Sequence, residues 1–172
     1  MESARIERQY QDAKELYNYL MKSEEVSFAS YIEGVYKKVL LLSAASFFEY
    51  EITSLIKKFA QRASKSDMRL VTLVEKKALA RQYHTLFDWD STNTNKFWGL
   101  FGDTTKTKAK ERIDKNDKLA QAEKDFLGLG KLRNSLVHEN FSEYDVNITL
   151  QEIYDKYKSA CKLIDFTAEV LD

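Results

Sequence analysis

Proline is absent from the 172 residues of this chain, and glycine occurs only five times. These two residue types interrupt helices most often, because proline lacks a backbone donor and glycine loses the most conformational freedom on folding. Leucine, lysine, glutamate and alanine, which favour helices, are abundant instead. Hydrophobic residues make up 44% of the sequence, which is ample for one buried core. The sequence therefore predicts a single all-α domain over residues 1–172, built as a four- to five-helix bundle.

The same composition also indicates where the protein acts and which metal sites it can form. The most apolar stretch, Val39 to Phe48, spans ten residues, whereas a membrane-spanning helix needs about 20. The charged N-terminal residues do not resemble a signal peptide. A single cysteine, Cys161, excludes an internal disulfide and fits a reducing cytoplasm. With two histidines and that cysteine no zinc-ligand spacing exists, and carboxylate-bound magnesium is the metal that composition leaves open. We expect a cytoplasmic protein without a cofactor.

The net charge is zero, but the charged residues are distributed unevenly. Between Lys57 and Arg81, eight basic residues stand against two acidic ones, whereas residues 139–172 contain three lysines and eight acidic residues. The basic segment could steer a phosphate backbone toward the protein. A solvated helix surface is the simpler interpretation, because runs of charge usually lie on solvated faces.

Apolar residues at helical spacing predict three helices in the first half of the chain. They run from about Ser3 to Lys22, from about Phe28 to Ala63, and from Asp67 to about Arg81, with Asp67 or Ser66 as the cap of the third. The second helix is apolar nearly all round its middle, as expected for the central helix of a bundle. Gly34 is a candidate for a break or kink near its start.

Residues 83–105 lose this periodicity and collect turn-forming residues among six aromatic side chains. We expect an irregular insertion around residues 83–115 whose aromatic residues mainly anchor it to the core, with stacking on unpaired bases as the alternative. Helical spacing returns near Lys106 or, more securely, near Asp117. The last helix begins at a capping box, Thr149 to Glu152.

Arg133 occupies a position where the helical pattern predicts an apolar residue. The apolar residues before it follow one helix face: Leu119, Ala122, Phe126 and Leu129. Because burial of an unpaired guanidinium is costly, Arg133 needs an anionic partner. The pattern ends around residues 137–140, which puts His138 at or near the end of the helix. Gly128 and Gly130 lack the strand and the lysine of a phosphate loop, so we assign them to helix packing or a kink.

Arg133, Asn134 and His138 are close in sequence but do not all share one side of an ideal helix. Asn134 and His138 are four residues apart and can touch. Arg133 and His138 are five residues apart and therefore point roughly 140° away from each other. Two arrangements would bring them together: a frayed or tightened last helical turn, or a second copy of the helix across a two-fold axis.

An arginine, an asparagine and a histidine around one cleft suit RNA cleavage without a metal ion. The 2′-hydroxyl loses a proton as it attacks the adjacent phosphorus, and the 5′-oxygen gains one as it leaves. Histidine, with an unperturbed pKa of about 6.5, can transfer these protons, and arginine can hold two phosphate oxygens. DNA lacks the 2′-hydroxyl, so this mechanism would spare it.

The segment RNSLVH, from Arg133 to His138, resembles the Arg-polar-(x)3-His motif of the HEPN superfamily (higher eukaryotes and prokaryotes nucleotide-binding domains), whose small helical bundles often act as ribonucleases. The segment LLSAASFFEYEITSLI, residues 41–56, is similar to the second-helix motif of RiboL-PSP-type HEPN domains, with its phenylalanine–glutamate pair. The resemblance covers about Val35 to Leu171. It implies metal-independent endoribonuclease activity on RNA by a homodimer that carries the motif, including Asn134, at its interface.

The resemblance also implies a role in toxin–antitoxin or anti-phage systems, with an antitoxin or another protein as a possible partner. A HEPN module without catalysis, which binds a partner protein or a nucleotide, is the alternative function. A third interpretation is an unrelated helical bundle in which Arg133 simply pairs with Glu49.

Glu49 is the remaining candidate for the catalytic site. It lies on an apolar face of the second helix, which would not hold a free carboxylate. Pairing with Arg133 or orienting His138 would satisfy it, as would a lysine or a backbone donor at the helix edge. Glu51 borders the same face and is the second choice. His84 has no arginine upstream at a comparable spacing and is predicted to be structural.

Overall fold

The computed structural model describes residues 3–172, and most of them are helical. In chain order its α-helices are α1 (Ala4–Lys22), α2 (Val26–Ala63), α3 (Met68–Val74), α4 (Tyr83–Leu86), α5 (Asn95–Gly99), α6 (Asp103–Asp114), α7 (Asp117–His138) and α8 (Leu150–Leu171). No β-strand occurs within residues 3–172, so the all-α prediction is confirmed. The five longest helices, α1, α2, α6, α7 and α8, form the bundle.

The central helix of the bundle is α2. It packs against α1, α7 and α8, while α7 and α8 pack along each other. Its middle buries Leu41, Ala44, Phe48 and Ile52. By length and composition α2 could also cross a membrane, but in the fold it packs against four other helices, α1, α3, α7 and α8. Gly34 lies within the continuous helix and does not break it.

Capping contacts confirm the predicted beginnings of two helices. The Asp67 side chain caps α3 by accepting a hydrogen bond from the backbone N–H of the second helical residue, at 2.9 Å. At the start of α8, the Thr149 hydroxyl accepts from the backbone N–H of Glu152 at 3.1 Å, and the Glu152 carboxylate accepts from the backbone N–H of Thr149 at 2.8 Å. The third helix ends earlier than predicted, because α3 passes into a π-helical turn, Glu75–Leu79, and Arg81 adopts a left-handed φ of 59°.

The irregular insertion that the sequence predicted around residues 83–115 is more regular than expected. It contains α4, α5 and the whole of α6. Only two residues of α6, Ala109 and Ile113, are buried, so its apolar periodicity is weak. Of the two predicted starts for the helix after the insertion, near Lys106 and near Asp117, the first falls within α6. It begins after Gly102, whose φ of 93° is a conformation that favours glycine.

Aromatic side chains anchor this region to the core, as predicted. Phe87, Phe97 and Trp98 are buried, and the Phe87 and Phe97 rings stack with their centroids 4.8 Å apart. The Phe87 ring also lies 4.9 Å from the ring of Phe126 on α7. The insertion is therefore packed against the middle of α7.

A buried polar network adds a second anchor. The Glu123 carboxylate on α7 accepts hydrogen bonds from the backbone N–H of Thr94, at 2.7 Å, and from its hydroxyl, at 2.5 Å. The Thr94 hydroxyl in turn accepts from the indole N–H of Trp98 at 3.0 Å. All three side chains are buried. The N-terminal half of α7 is thus occupied by the insertion, which leaves its C-terminal half to face a cleft.

Candidate active site

A cleft opens between α2, the segment around α4 and the C-terminal half of α7. Its volume is about 510 Å³, which falls within the range of about 300–1,000 Å³ typical of ligand sites. All four side chains that the sequence predicted for the site line this cleft: Glu49, Arg133, Asn134 and His138. The remaining lining residues are Arg81, Tyr83, His84, Trp89 and Val137.

One face of α7 forms a wall of the cleft. The residues of that face recur at helical spacing: Gly130, Arg133, Asn134, Val137 and His138. Arg133 and His138 lie at its two edges, roughly 140° apart, and both reach the cleft. The helix continues through His138, and Glu139 after it is extended. A frayed or tightened last turn is therefore not what brings Arg133 and His138 to the same cleft.

Arg133 is half-buried, as its position in the apolar series of α7 predicted. Its guanidinium Nη1 donates a hydrogen bond to Asn134 Oδ1 at 3.2 Å. Within residues 3–172, no carboxylate forms an ion pair with it at 4.0 Å or less. The anionic partner that Arg133 needs is thus not supplied by this part of the chain, and its charge is available to an anion in the cleft.

Glu49 is exposed, so the prediction that an apolar face encloses it is wrong. Ile52 and Ile56 are buried further along α2, but the helix face opens into the cleft at Glu49.

The charges of both Glu49 and Arg133 affect the pKa of Tyr83. Burial raises the pKa of Tyr83 far above its usual range, the Glu49 carboxylate raises it further, and the Arg133 guanidinium lowers it in part. Tyr83 is therefore a neutral phenol that can donate a hydrogen bond.

The floor of the cleft narrows into a small inner pocket of about 20 Å³, which has room for about one water molecule. Apolar groups make its floor: Ala45, Phe48, Phe126 and Gly130. Arg133 and Asn134 border both the inner pocket and the open cleft. Because an apolar floor lowers the local dielectric, it strengthens the attraction between the guanidinium and a bound anion.

His84 also lines both spaces, and its side chain is exposed. The sequence predicted a structural role for His84 and did not place it at the cleft. The backbone oxygen of His84 accepts a hydrogen bond from the indole N–H of Trp89 at 2.9 Å. The Trp89 ring lies against Gly130 so closely that a Cβ there would come within 2.1 Å of two ring atoms. The assignment of Gly130 to packing is thereby confirmed, and the contact fixes α4 beside α7. Since this contact is tertiary, no local pattern around His84 could have revealed it.

The cleft carries net positive charge at neutral pH. Two arginines, Arg81 and Arg133, face one carboxylate, that of Glu49, among its lining residues. Across residues 3–172 there is no group of three or more His, Cys, Asp or Glu side chains that could hold a metal ion. The donors and charges that are present suit an anionic ligand.

A comparison with protein families identifies the chain. A family model described as RiboL-PSP-HEPN matches residues 5–172. The chain belongs to the RiboL-PSP-HEPN family. No curated protein and no solved structure matches it. Membership in this HEPN family confirms the resemblance drawn from the sequence and supports a nuclease or RNA-related role, but it does not single out Arg133 or His138.

The two residues of the phenylalanine–glutamate pair in this HEPN chain lie in different places, one in the core and one at the cleft. Phe48 is buried, and its ring centroid lies 5.4 Å from that of Phe126 on α7. Glu49, the next residue, is exposed at the cleft. One residue of the pair therefore packs α2 against α7, and the other adds a carboxylate to the space between them.

Proposed function

We propose that this HEPN chain is a metal-independent endoribonuclease. The observation that carries the proposal is the state of Arg133, which is half-buried, hydrogen-bonded to Asn134, and without an ion pair at 4.0 Å or less in residues 3–172. It shares one cleft with His138. A phosphodiester fits this site because its two non-bridging oxygens match the forked donors of a guanidinium.

In the proposed reaction, Arg133 binds the phosphate and Asn134 orients the guanidinium through its hydrogen bond. His138 takes the proton of the 2′-hydroxyl as that oxygen attacks phosphorus. The charge on the phosphorus oxygens rises toward the transition state, so Arg133 stabilises the transition state more than the bound substrate. The products are a 2′,3′-cyclic phosphate and a 5′-hydroxyl, and DNA is not a substrate.

Glu49 and Tyr83 complete the proposed site. The Glu49 carboxylate at the cleft can accept a hydrogen bond from the attacking 2′-hydroxyl or from the His138 ring, and so acts as a positioning residue. Tyr83 remains protonated because its pKa is raised, so it can donate to a phosphate oxygen without adding charge. Replacement of Glu49 by glutamine should therefore slow cleavage less than loss of Arg133 does.

The test is RNA cleavage in the presence of EDTA. The parent protein should cut RNA and leave 2′,3′-cyclic phosphate ends, while Arg133→Ala and His138→Ala should each lose about 10²-fold or more of the rate. Arg112→Ala is the matched control, because Arg112 is exposed and lies outside the cleft. A pure parent protein that leaves every RNA intact, or a His138→Ala protein that cuts at the parent rate, would overturn the proposal.

We also propose that the protein acts as a homodimer through an apolar rim beside the cleft. This apolar rim consists of Val35, Val39, Val137 and Phe141, which are all exposed. Lys38 donates a hydrogen bond to the backbone oxygen of Phe141 at 2.6 Å, which ties the segment after α7 to α2. Val137→Glu should convert a dimer to a monomer in sedimentation experiments. Leu73→Glu, at a similarly exposed apolar residue away from the rim, should leave the dimer intact.

A second candidate function, partner binding without catalysis, is favoured by an apolar groove of about 410 Å³ between α2, α3 and the two residues that follow α5. Leu70, Leu73 and Leu100 line it and are largely exposed, and exposed apolar patches often mark protein contacts. If binding is the sole function, RNA stays intact and His138→Ala alters dimerisation or stability rather than turnover. Leu73→Glu would then abolish binding of the partner.

For the cellular role, we propose a cytoplasmic toxin or anti-phage component whose activity is restrained by an antitoxin or another protein. An unrestrained ribonuclease stops growth because it destroys cellular RNA. Induced expression of the parent chain alone should therefore arrest growth, and expression of Arg133→Ala to the same level should not. Equal arrest by both proteins would exclude ribonuclease activity as the cause.

A further inference from the structure

The cleft contains a second histidine on a different wall from His138. His84 is the second residue of α4, and it borders both the open cleft and the inner pocket together with Arg133 and Asn134. His138 stands on α7 and borders the open cleft. These are the two histidines of the chain, and the fold brings both to the residue that best suits a phosphate, Arg133.

The position of His84 is fixed by a chain of contacts that starts on α7. Gly130 leaves room for the Trp89 ring, which occupies the place where any Cβ would stand. The Trp89 indole N–H then donates to the backbone oxygen of His84 at 2.9 Å. Tyr83, the neighbour of His84, packs its ring on Trp89 with the centroids 5.7 Å apart. His84 is therefore held relative to Gly130, one helical turn before Arg133, although α4 is only four residues long.

RNA cleavage needs one group that takes a proton and one that gives a proton, on opposite sides of the reacting phosphorus. The attacking 2′-oxygen and the leaving 5′-oxygen occupy roughly in-line positions on opposite sides of phosphorus. A single histidine beside one of them is badly placed to serve the other in the same step. Two histidines on different walls, with an arginine that lines the space between, match the two sides of the reacting phosphorus.

We propose that His84 is the general acid of the ribonuclease reaction, and this inference rests on the proposed function. His138 accepts the proton of the 2′-hydroxyl while the bond between the 2′-oxygen and phosphorus forms. The bond between phosphorus and the 5′-oxygen breaks, and protonated His84 gives its proton to that oxygen. His138 then carries one more proton and His84 one fewer, and exchange with water restores both. No atom changes oxidation state. The charged groups that face His84 in the cleft are Glu49, Arg81, Arg133 and His138.

The experiment uses two versions of one RNA oligonucleotide that spans a cleavage position mapped with the parent protein. One version has the natural 5′-oxygen at that position, and the other has sulfur in its place. A thiolate leaves without protonation, so loss of a general acid harms only the natural substrate. His84→Ala should lose about 10²-fold or more on the natural oligonucleotide and less than about tenfold on the sulfur version. His138→Ala should lose rate on both.

A second variant covers the case in which His84→Ala fails to fold. Trp89→Phe keeps an aromatic ring over Gly130 but removes the N–H donor that holds His84. It should lose a smaller factor on the natural oligonucleotide and recover on the sulfur version, which a general loss of stability would not produce.

The outcomes separate this inference from the function on which it rests. A parent protein that cuts no RNA, so that no cleavage position can be mapped, ends both proposals. A parent that cuts and depends on Arg133 and His138, with His84→Ala as fast as the parent, leaves the ribonuclease intact and overturns the role of His84. Equal losses by His84→Ala on both oligonucleotides would likewise overturn it.

Discussion

Two glycines on α7 stand two residues apart in very different surroundings. A Cβ at Gly130 would lie 2.1 Å from two atoms of the Trp89 ring, whereas nothing lies within 4 Å of a Cβ at Gly128. Alanine stabilises a helix interior by about 1 kcal/mol relative to glycine, and overpacking costs about 1–3 kcal/mol. In urea denaturation, Gly128→Ala should therefore raise the free energy of unfolding by up to about 1 kcal/mol, and Gly130→Ala should lower it by up to about 2 kcal/mol. Shifts of the same sign would contradict the Trp89 contact.

A substitution at Asn134 separates the charge of Arg133 from its packing. Asn134→Asp keeps the side-chain size and an oxygen that can accept the Arg133 hydrogen bond, but it adds a negative charge beside the guanidinium. We expect the free energy of unfolding to stay constant or rise by about 1 kcal/mol, because hydrogen bonds to charged groups are stronger. Cleavage should fall by about 10²-fold, because the carboxylate competes with the phosphate for Arg133.

The measurements for this prediction are urea denaturation and initial rates of RNA cleavage on the same preparation. Asn18→Asp is the control, since Asn18 is exposed on α1 and lies outside the cleft. If Asn134→Asp cuts RNA at the parent rate, phosphate binding does not depend on a free positive charge at Arg133.

At the scale of elements, the insertion depends on the buried contact between Thr94 and Glu123. Thr94→Val removes the hydroxyl that donates to Glu123 and accepts from Trp98, at nearly constant volume. The buried indole N–H and part of the carboxylate then lose their partner, which should cost about 1–3 kcal/mol of unfolding free energy. Thermal unfolding measures the change, and Thr92→Val, at an exposed position nearby, should be close to neutral. A neutral Thr94→Val would mean that the aromatic contacts alone hold the insertion.

The start of α8 should respond to acid through Glu152. Hydrogen bonds from the Thr149 backbone N–H and then from its hydroxyl lower the pKa of Glu152 below its usual 4.5. A carboxyl with a lowered folded-state pKa stabilises the protein fully above 4.5 and loses that contribution as the pH falls through the lowered pKa. Glu152→Gln should therefore be less stable than the parent at neutral pH, and the difference should shrink as the pH falls below 4.5. Unfolding curves across this pH range measure it, with Glu15→Gln on α1 as the control.

The elements that could be predicted from sequence are those whose signal is local. Apolar periodicity located α1 and α2, and the Thr149 capping box located the start of α8. α6 was located only through the less secure of two predicted helix starts, near Lys106, because it buries only Ala109 and Ile113. The α7 part of the site could be predicted because Arg133 stands at a position where the helical pattern calls for an apolar residue. The place of His84 in the cleft could not be predicted, because it depends on the tertiary contact between Trp89 and Gly130.

At the scale of the whole molecule, the central issue is whether one protomer contains a complete site. Sequence geometry left open a second copy across a two-fold axis as a way to bring Arg133 and His138 together. In the fold, both residues line a single cleft of one chain, along with Asn134 and His84. A dimer is therefore not required to bring the proposed catalytic groups into one cleft.

Mixing two inactive variants tests this directly. If each site took Arg133 from one protomer and His138 from the other, mixed dimers of Arg133→Ala and His138→Ala would contain one intact site, and exchange would restore about a quarter of the parent activity. If each site lies within one protomer, every site in the mixture lacks a catalytic residue. We expect no restoration after unfolding and refolding the two variants together, with the parent protein refolded alone as the control for recovery. Because both residues line the cleft of one chain, restored activity would mean that the reacting phosphate sits between two clefts rather than inside one.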